Sequence, residues 1–198
     1  MEQRSLKFSD IKQKRINFIK NLFCFYIIIN MIKGRYIYIE EMNIRLRSLY
    51  RYFSLSELNF IFGGECSKID LDNIENDKWS NHFVFRFNRS NDFAGYIRVI
   101  NVKNIVEIHG GGINNSFIEK LALSEAWLLM IENCFQVYNV NTIFTSCIIE
   151  NKKGFKFITN SGFKEIKRDL QNNRIDFSLS NNEFNNNYKI KFIKRSLP

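Results

Sequence analysis

Two residues of the chain have types and a spacing suited to moving a proton. Glu107 and His109 stand two apart in the apolar run 105–109, "IVEIH". On a strand, residues two apart share a face. A carboxylate or an imidazole can take a proton from a group placed beside it, and imidazole changes charge between pH 5 and 8. Each also has a structural reading, His109 as a hydrogen-bonded strand histidine and Glu107 as a solvent-facing carboxylate.

The next stretch, "GGGINNS", holds Gly110, Gly111, Gly112, Asn114, Asn115 and Ser116. Three of the nine glycines of the chain fall together here. Glycine lets a backbone approach a ligand closely, and the N–H groups that open a helix favour an anion. The stretch therefore reads either as a phosphate cradle between a strand and a helix or as a turn or bulge where two elements meet.

These residues need elements to position them. Residues 116–138 carry the strongest helix pattern, with Ser116 as N-cap and Glu119 three residues on, a capping-box spacing. Residues 82–109 read as three strands with turns near "NRSND" and "NVKN", an antiparallel meander. Residues 35–42 and 141–149 read as single strands, and 44–62 as one or two helices. Residues 63–79 read as polar and turn-rich. Residues 151–162 read as a helix closed by Gly162 in a left-handed cap, and 163–184 as a terminal hairpin. The order is β, α, βββ, α, β, α, ββ, a mixed α/β fold.

Composition bounds the function. The 198 residues suit one domain with a sizeable core, and 45% hydrophobic and 25% charged content is ordinary for a globular chain. The net charge of +9 admits an anionic partner. Its lysines and arginines are scattered among acids and no nucleic-acid motif is visible, so a phosphorylated small molecule fits better than nucleic acid. Cys24, Cys66, Cys134 and Cys147 form no C-x-x-C pair and there are only two histidines, so no metal site is expected. Buried thiols in a reducing cytoplasm are the expectation.

Residues 1–30 differ from the rest. A basic amphipathic segment precedes the apolar run "NLFCFYIIINMI". The run is short for a bilayer span and no small-residue cleavage site follows. Residues 1–30 are therefore expected to be an N-terminal extension, and 31–198 a single domain with no membrane role.

The element order resembles the GNAT superfamily of acyl-CoA-dependent N-acyltransferases. "IKGRYIYIEEMN" looks like its opening strand, and "DFAGYIRVINVKNIVEIH", with Ala94–Gly95, like its central meander. "TIFTSCIIENKKGFKFITNSGFKEI" looks like its strand–Asn–helix–Gly-Phe pattern, with Asn151, Gly154 and Gly162–Phe163 in place. "RIDFSLSNNEF" is similar to the last strand of the ribosomal-protein-alanine-acetyltransferase branch. The resemblance covers residues 32–184.

The resemblance implies a mixed sheet with antiparallel central strands, strands four and five parallel and splayed, and helices on both faces. It implies acetyl-CoA as co-substrate, held in the splay, and direct attack by a primary amine on a small molecule or a peptide. It implies Glu107 as the base ahead of His109, and Asn151 as a pantetheine partner as well as a helix cap. One departure matters. The family's Arg/Gln-x-x-Gly-x-Gly/Ala loop would place its glycines at Glu119 and Leu121, so the cradle is expected to move upstream to Gly110–Ser116. The family's acid tyrosine aligns with Ile158. The alternative is a catalytically silent module of this fold that binds CoA or a protein. A third reading gives residues 1–30 a basic membrane-surface or nucleic-acid role. A homodimer stays open.

Overall fold

Alternation builds the sheet. In the segment Arg174–Ser180, Ile175, Phe177 and Leu179 are buried, while Arg174, Asp176 and Ser178 between them are not. The same period of two runs through Ile37–Glu41 and the first half of Thr142–Ile148, where Ile143 and Thr145 are buried. The computed structural model describes residues 31–42, 46–62, 68–113 and 116–187. The extension 1–30 and the pair Asn114 and Asn115 lie outside the described residues.

Among the described residues eight strands form one sheet. They are β1 (Ile32–Lys33), β2 (Ile37–Glu41), β3 (Ser80–Phe87), β4 (Phe93–Val102), β5 (Ile105–Gly112), β6 (Thr142–Ile148), β7 (Lys164–Asp169) and β8 (Arg174–Ser180). Their spatial order is β1-β2-β3-β4-β5-β6-β8-β7. Every neighbouring pair is antiparallel except β5–β6, which is parallel. The strands expected as fourth and fifth are thus β5 and β6, because a two-residue strand precedes the first one expected.

Among the described residues five α-helices and a 3-10 turn (Leu46–Arg51) cover the sheet. They are α1 (Leu55–Phe62), α2 (Lys68–Glu75), α3 (Phe117–Tyr138), α4 (Lys152–Asn160) and α5 (Asn181–Asn186). The 3-10 turn and α1 pack Leu46, Leu49, Phe53, Leu58 and Ile61 onto Val84 and Tyr96 on one face. On the other face Trp127 of α3 meets Phe157 of α4, and Phe155 of α4 meets Phe177 of β8. Helices therefore lie on both faces of a mixed α/β sheet.

Caps fix the helix ends. Ser116 and Glu119 form the expected capping box at α3. Gly162 takes φ 94°, and the amides of Gly162 and Phe163 donate to the carbonyls of Thr159 and Ile158 at 3.1 and 3.4 Å, which closes α4. Ser54 and Glu57 cap each other at the break between the 3-10 turn and α1.

Three expectations are corrected. The polar stretch 63–79 contains α2: Leu71 is fully buried and Ile74 packs on the core, so two apolar residues three apart suffice to seat a helix. The last strand ends at Ser180, whose hydroxyl caps α5. And β5 does not stop at His109. It runs through Gly112, with Gly110, Gly111 and Gly112 opposite Ile97, Tyr96 and Gly95 of β4.

Those glycines are needed for thinness, since none of the three has positive φ. A Cβ on Gly111 would stand 2.6 Å from Cγ1 of Ile61 in α1. A Cβ on Gly112 would stand 2.9 Å from a ring atom of Phe85 and 3.2 Å from Leu123 of α3. The strand is pressed between the two helical layers.

Gly111→Ala should therefore destabilise the protein by about 1–3 kcal/mol, the usual cost of overpacking. Ile61→Ala removes both clashing atoms, leaving the Ile61 Cβ at 3.9 Å from the new methyl. Denaturant unfolding of the two single variants and the double variant should give a double-mutant cost below the sum of the singles by about 1 kcal/mol or more. Strict additivity would show that Ile61 does not press on Gly111.

Candidate active site

The site begins where the sheet opens. β5 pairs with β4 along its whole length, and β6 pairs with β8 from Thr142 to Ile148. Between β5 and β6 the register holds only at Val106↔Ile143 and Glu107↔Phe144. Beyond that point both strands continue unpaired with each other, which makes a fork.

Backbone polarity at the fork follows from the ladder. The Ile113 amide donates to the Ala94 carbonyl at 2.9 Å. Antiparallel bonding alternates along a strand, so the backbone groups of Gly112, Gly110 and Ile108 turn the other way, toward β6. The Ile108 amide falls within the two-position β5–β6 ladder, while those of Gly110 and Gly112 lie beyond it with no strand opposite them. On the face that carries Glu107, α1 lies against both β5 and β6.

Glu107 is the last β5 residue paired with β6, and His109 is the next on the same face. The His109 Nε2 stands 3.1 Å from Oε2 of Glu107. Only 8% of His109 is exposed. Arg174 reaches over from β8, its Nη2 3.8 Å from Oε1 of Glu107 and its Nε donating to Oδ1 of Asp176 at 2.5 Å. The hydrogen bond to His109 holds the Glu107 carboxyl below the usual range. Burial opposes this, while the charges of His109, Arg174 and Arg98 add to it.

A second polar group adjoins on the same face. Arg98 lies directly across the ladder from His109. It donates to Oγ of Ser80 and to Oδ2 of Asp77, both at 2.9 Å. His82, opposite Arg98 on β3, places Nδ1 2.7 Å from the buried Tyr96 hydroxyl. Burial, with the Arg98 charge second, pushes His82 down to about 4, so it is neutral at pH 7.

The structure brings Glu107 and His109 together and sets Gly110 and Gly112 beside them in the strand. Ser116 is engaged as the α3 N-cap, where its amide donates to Oε2 of Glu119 at 2.7 Å. A carboxylate thus occupies the helix start that was expected to hold phosphate. Asn151 caps α4 by accepting from the Gly154 amide at 2.8 Å. Ile158 is buried. Trp79 is exposed, with the Lys78 ammonium 5.0 Å over its ring. Among the described residues no group of three or more His, Cys, Asp or Glu could hold a metal, and no helix is long and apolar enough to cross a membrane.

Arg174, Asp176, Arg98 and Asp77 were not singled out from sequence. The alternation in "RIDFSLS" carried the signal for two of them. If Ile175, Phe177 and Leu179 point inward, Arg174, Asp176 and Ser178 line the opposite face, which is the face of Glu107.

No protein-family model matches the chain, and no curated protein matches its sequence. Solved structures do match. A GCN5-related N-acetyltransferase from Brucella melitensis aligns at TM-score 0.65 and 16% identity, covering 84% of each chain. The acetyltransferase from Agrobacterium tumefaciens aligns at TM-score 0.61 and 12% identity over 76% of this chain and 94% of its own. A nucleotide-linked sugar GNAT aligns at TM-score 0.56 and 17% identity over 82% and 96%. At these identities the likeness is one of fold, and the fold is that of the GNAT acetyltransferases.

His82 generates a pH prediction. It is neutral in the fold down to about pH 4, while the unfolded chain protonates it near 6.5. Between those values the unfolded state binds more protons, so this part of the stability is full above 6.5 and is lost as pH falls toward 4. Thermal melts from pH 7 to pH 4 should show a shallower decline in His82→Gln than in the parent. Parallel curves would mean that His82 protonates freely in the fold.

Proposed function

We propose that the chain is an acyl-CoA-dependent N-acyltransferase that accepts the acyl group at the fork and passes it to a primary amine. The observation that carries this reading is the fork itself, with an ionised Glu107 and a buried His109 at its root.

The fork suits the extended pantetheine arm of CoA. Its amides and carbonyls can pair with strand edges, and the backbone groups of Gly110 and Gly112 face the gap without strand partners. The helix start suits the pyrophosphate poorly, because Glu119 places a carboxylate there. The phosphate grip therefore differs from the family's glycine loop, and Gly110–Gly112 contribute to the arm and the reacting centre.

Bound CoA thioester supplies an acyl carbonyl and a thiolate leaving group. Amides of the glycine strand are the donors for charge developing on the carbonyl oxygen. His109 takes the proton from the attacking amine. Glu107, held ionised, is a weak base by itself. It fixes the imidazole through the 3.1 Å contact and stabilises the cation that forms. This moves the base from Glu107, the choice that the resemblance implies, to His109 with Glu107 behind it. With Ile158 in the tyrosine position, water protonates the departing thiolate.

A catalytically silent module is the second reading, favoured by Glu119 at the helix start and by Ile158. Acetyl-CoA should raise the melting temperature under either reading, because a ligand that binds the folded state stabilises it. Thiol release with an amine panel separates them: turnover supports the transferase, and binding without turnover supports the module. No thermal shift at millimolar acetyl-CoA would sink the transferase and the CoA-binding module, and leave only a module that binds a protein.

Given turnover, His109→Gln should lower kcat by about 10²–10⁴, the usual share of a general base. Glu107→Gln should lower kcat less, because the histidine remains while the cation formed during transfer loses its stabilising charge. An unchanged kcat in Glu107→Gln would separate the two residues.

A further inference from the structure

The register of the sheet places one more side chain at the fork. Glu107 of β5 stands opposite Phe144 of β6 in the last pair that joins the two strands. Residues two apart on a strand share a face. The next residue on the Glu107 face of β5 is His109, and the next on that face of β6 is Ser146. Ser146 therefore lies across the opening from His109, one step beyond the point where the strands part.

The surroundings leave the serine hydroxyl uncommitted. Asp176 of β8 faces Ser146 on its other side, in the β6–β8 ladder, and Oδ1 of Asp176 accepts from Nε of Arg174 at 2.5 Å. Ser146 is 8% exposed, while Phe144 and Ile148, its neighbours on this face, are partly exposed. Its hydroxyl makes no hydrogen bond among the described residues. A covered hydroxyl is normally paired, and this one has a donor and two acceptor positions to offer to what enters the fork.

The spacing suits one small polar group. Neighbouring strands stand about 4.8 Å apart, and side chains leaving two of them on one face begin about that far from each other. A nitrogen that donates to two atoms about 2.9 Å away spans about 5 Å between them. The opening between His109 and Ser146 widens from that strand spacing, so it admits an amine nitrogen.

We infer that Ser146 is a specificity-determining residue of the acceptor site, accepting one N–H of a primary amine while His109 takes the other proton. The inference rests on the acyl transfer proposed above. Glu107 holds Nε2 of His109, which leaves Nδ1 for the amine. The amine nitrogen aims its lone pair at the thioester carbonyl and forms the C–N bond, and the C–S bond then breaks. One proton passes to His109, and the imidazolium returns it through water to the thiolate. The second proton stays on the product amide nitrogen. A secondary amine has a carbon where that second N–H would be. It leaves the Ser146 hydroxyl unpaired, and a site built around a hydrogen bond discriminates against an analogue that lacks it.

The test compares primary amines with their N-methyl derivatives, in the full chain and in Ser146→Ala. Glucosamine, tyramine and an alanine-led peptide serve as acceptors, and thiol release is the readout. The parent should favour each primary amine that turns over by roughly tenfold in kcat/KM. Ser146→Ala should lower the primary-amine value by about three- to tenfold, the worth of one neutral hydrogen bond. It should leave the N-methyl value unchanged or raised, so the preference collapses. Melting temperature and acetyl-CoA affinity should stay at the parent's values, because the hydroxyl holds neither the fold nor the cofactor. Equal losses for both classes of amine would assign Ser146 to packing and overturn the inference, as would a parent without a primary-amine preference. An unaltered preference in Ser146→Ala would overturn the inference and leave the transferase reading standing. No turnover with any acceptor would overturn both.

Discussion

The site rests on an unequal contest for hydrogen bonds inside one sheet. β5 is held by β4 at every position from Ile105 to Gly112, and β6 is held by β8 from Thr142 to Ile148. Each strand has satisfied one edge. The other edges meet at only two register positions before the strands part. A sheet of many strands twists, and two strands committed to partners on opposite sides separate at the end where nothing bridges them. The fork leaves the backbone groups of Gly110 and Gly112, both half-buried, without a strand partner. On the reading proposed above, a ligand with alternating amides pairs with them.

The glycine strand links this fork to the rest of the packing. Gly111 lies under Ile61 on one face, and Gly112 under Phe85 and Leu123 on the other. Any side chain there would push α1 or α3 outward. Both helices bear on the fork: α1 lies against β5 and β6, and α3 is the crossover that makes those strands parallel. The three glycines are therefore a packing requirement that sets the geometry of the fork. Their amides at Gly110 and Gly112 gain access to the fork as a consequence of strand alternation.

Sequence showed what local chemistry encodes. The Ser116–Glu119 box, the Asn151 cap and the Gly162 turn are signals within a few residues, and each stands where its pattern put it. The shared face of Glu107 and His109 needed only a period of two. What escaped reading depended on partners far along the chain. Glycines 110–112 look like a loop by composition, and only β4 opposite them makes them strand. α2 looks polar, and only the pocket that receives Leu71 and Ile74 makes it a helix. Arg174 stands 67 positions from Glu107, and no local pattern pairs them. For the same reason the missing glycine loop was legible, while the carboxylate of Glu119 at the helix start acquired meaning only from its bond to the Ser116 amide.

The polar side chains at the root of the fork are too weak to shape it, which leaves their effect on protons. The Arg174–Glu107 contact, at 3.8 Å between side chains 42% and 31% exposed, spans from β8 past β6 to β5. A pair of that exposure contributes about 0–1 kcal/mol. The ladders on either side each add many backbone bonds of comparable size, so removing Arg174 would neither close nor widen the gap. A charge at that distance still changes the free energy of a proton on Glu107, and the His109 contact does so more strongly. The backbone thus fixes the shape of the fork, and Arg174, Arg98 and His109 keep the Glu107 carboxylate ionised. In the proposed reaction, an ionised Glu107 then serves His109 as an orienting and stabilising charge.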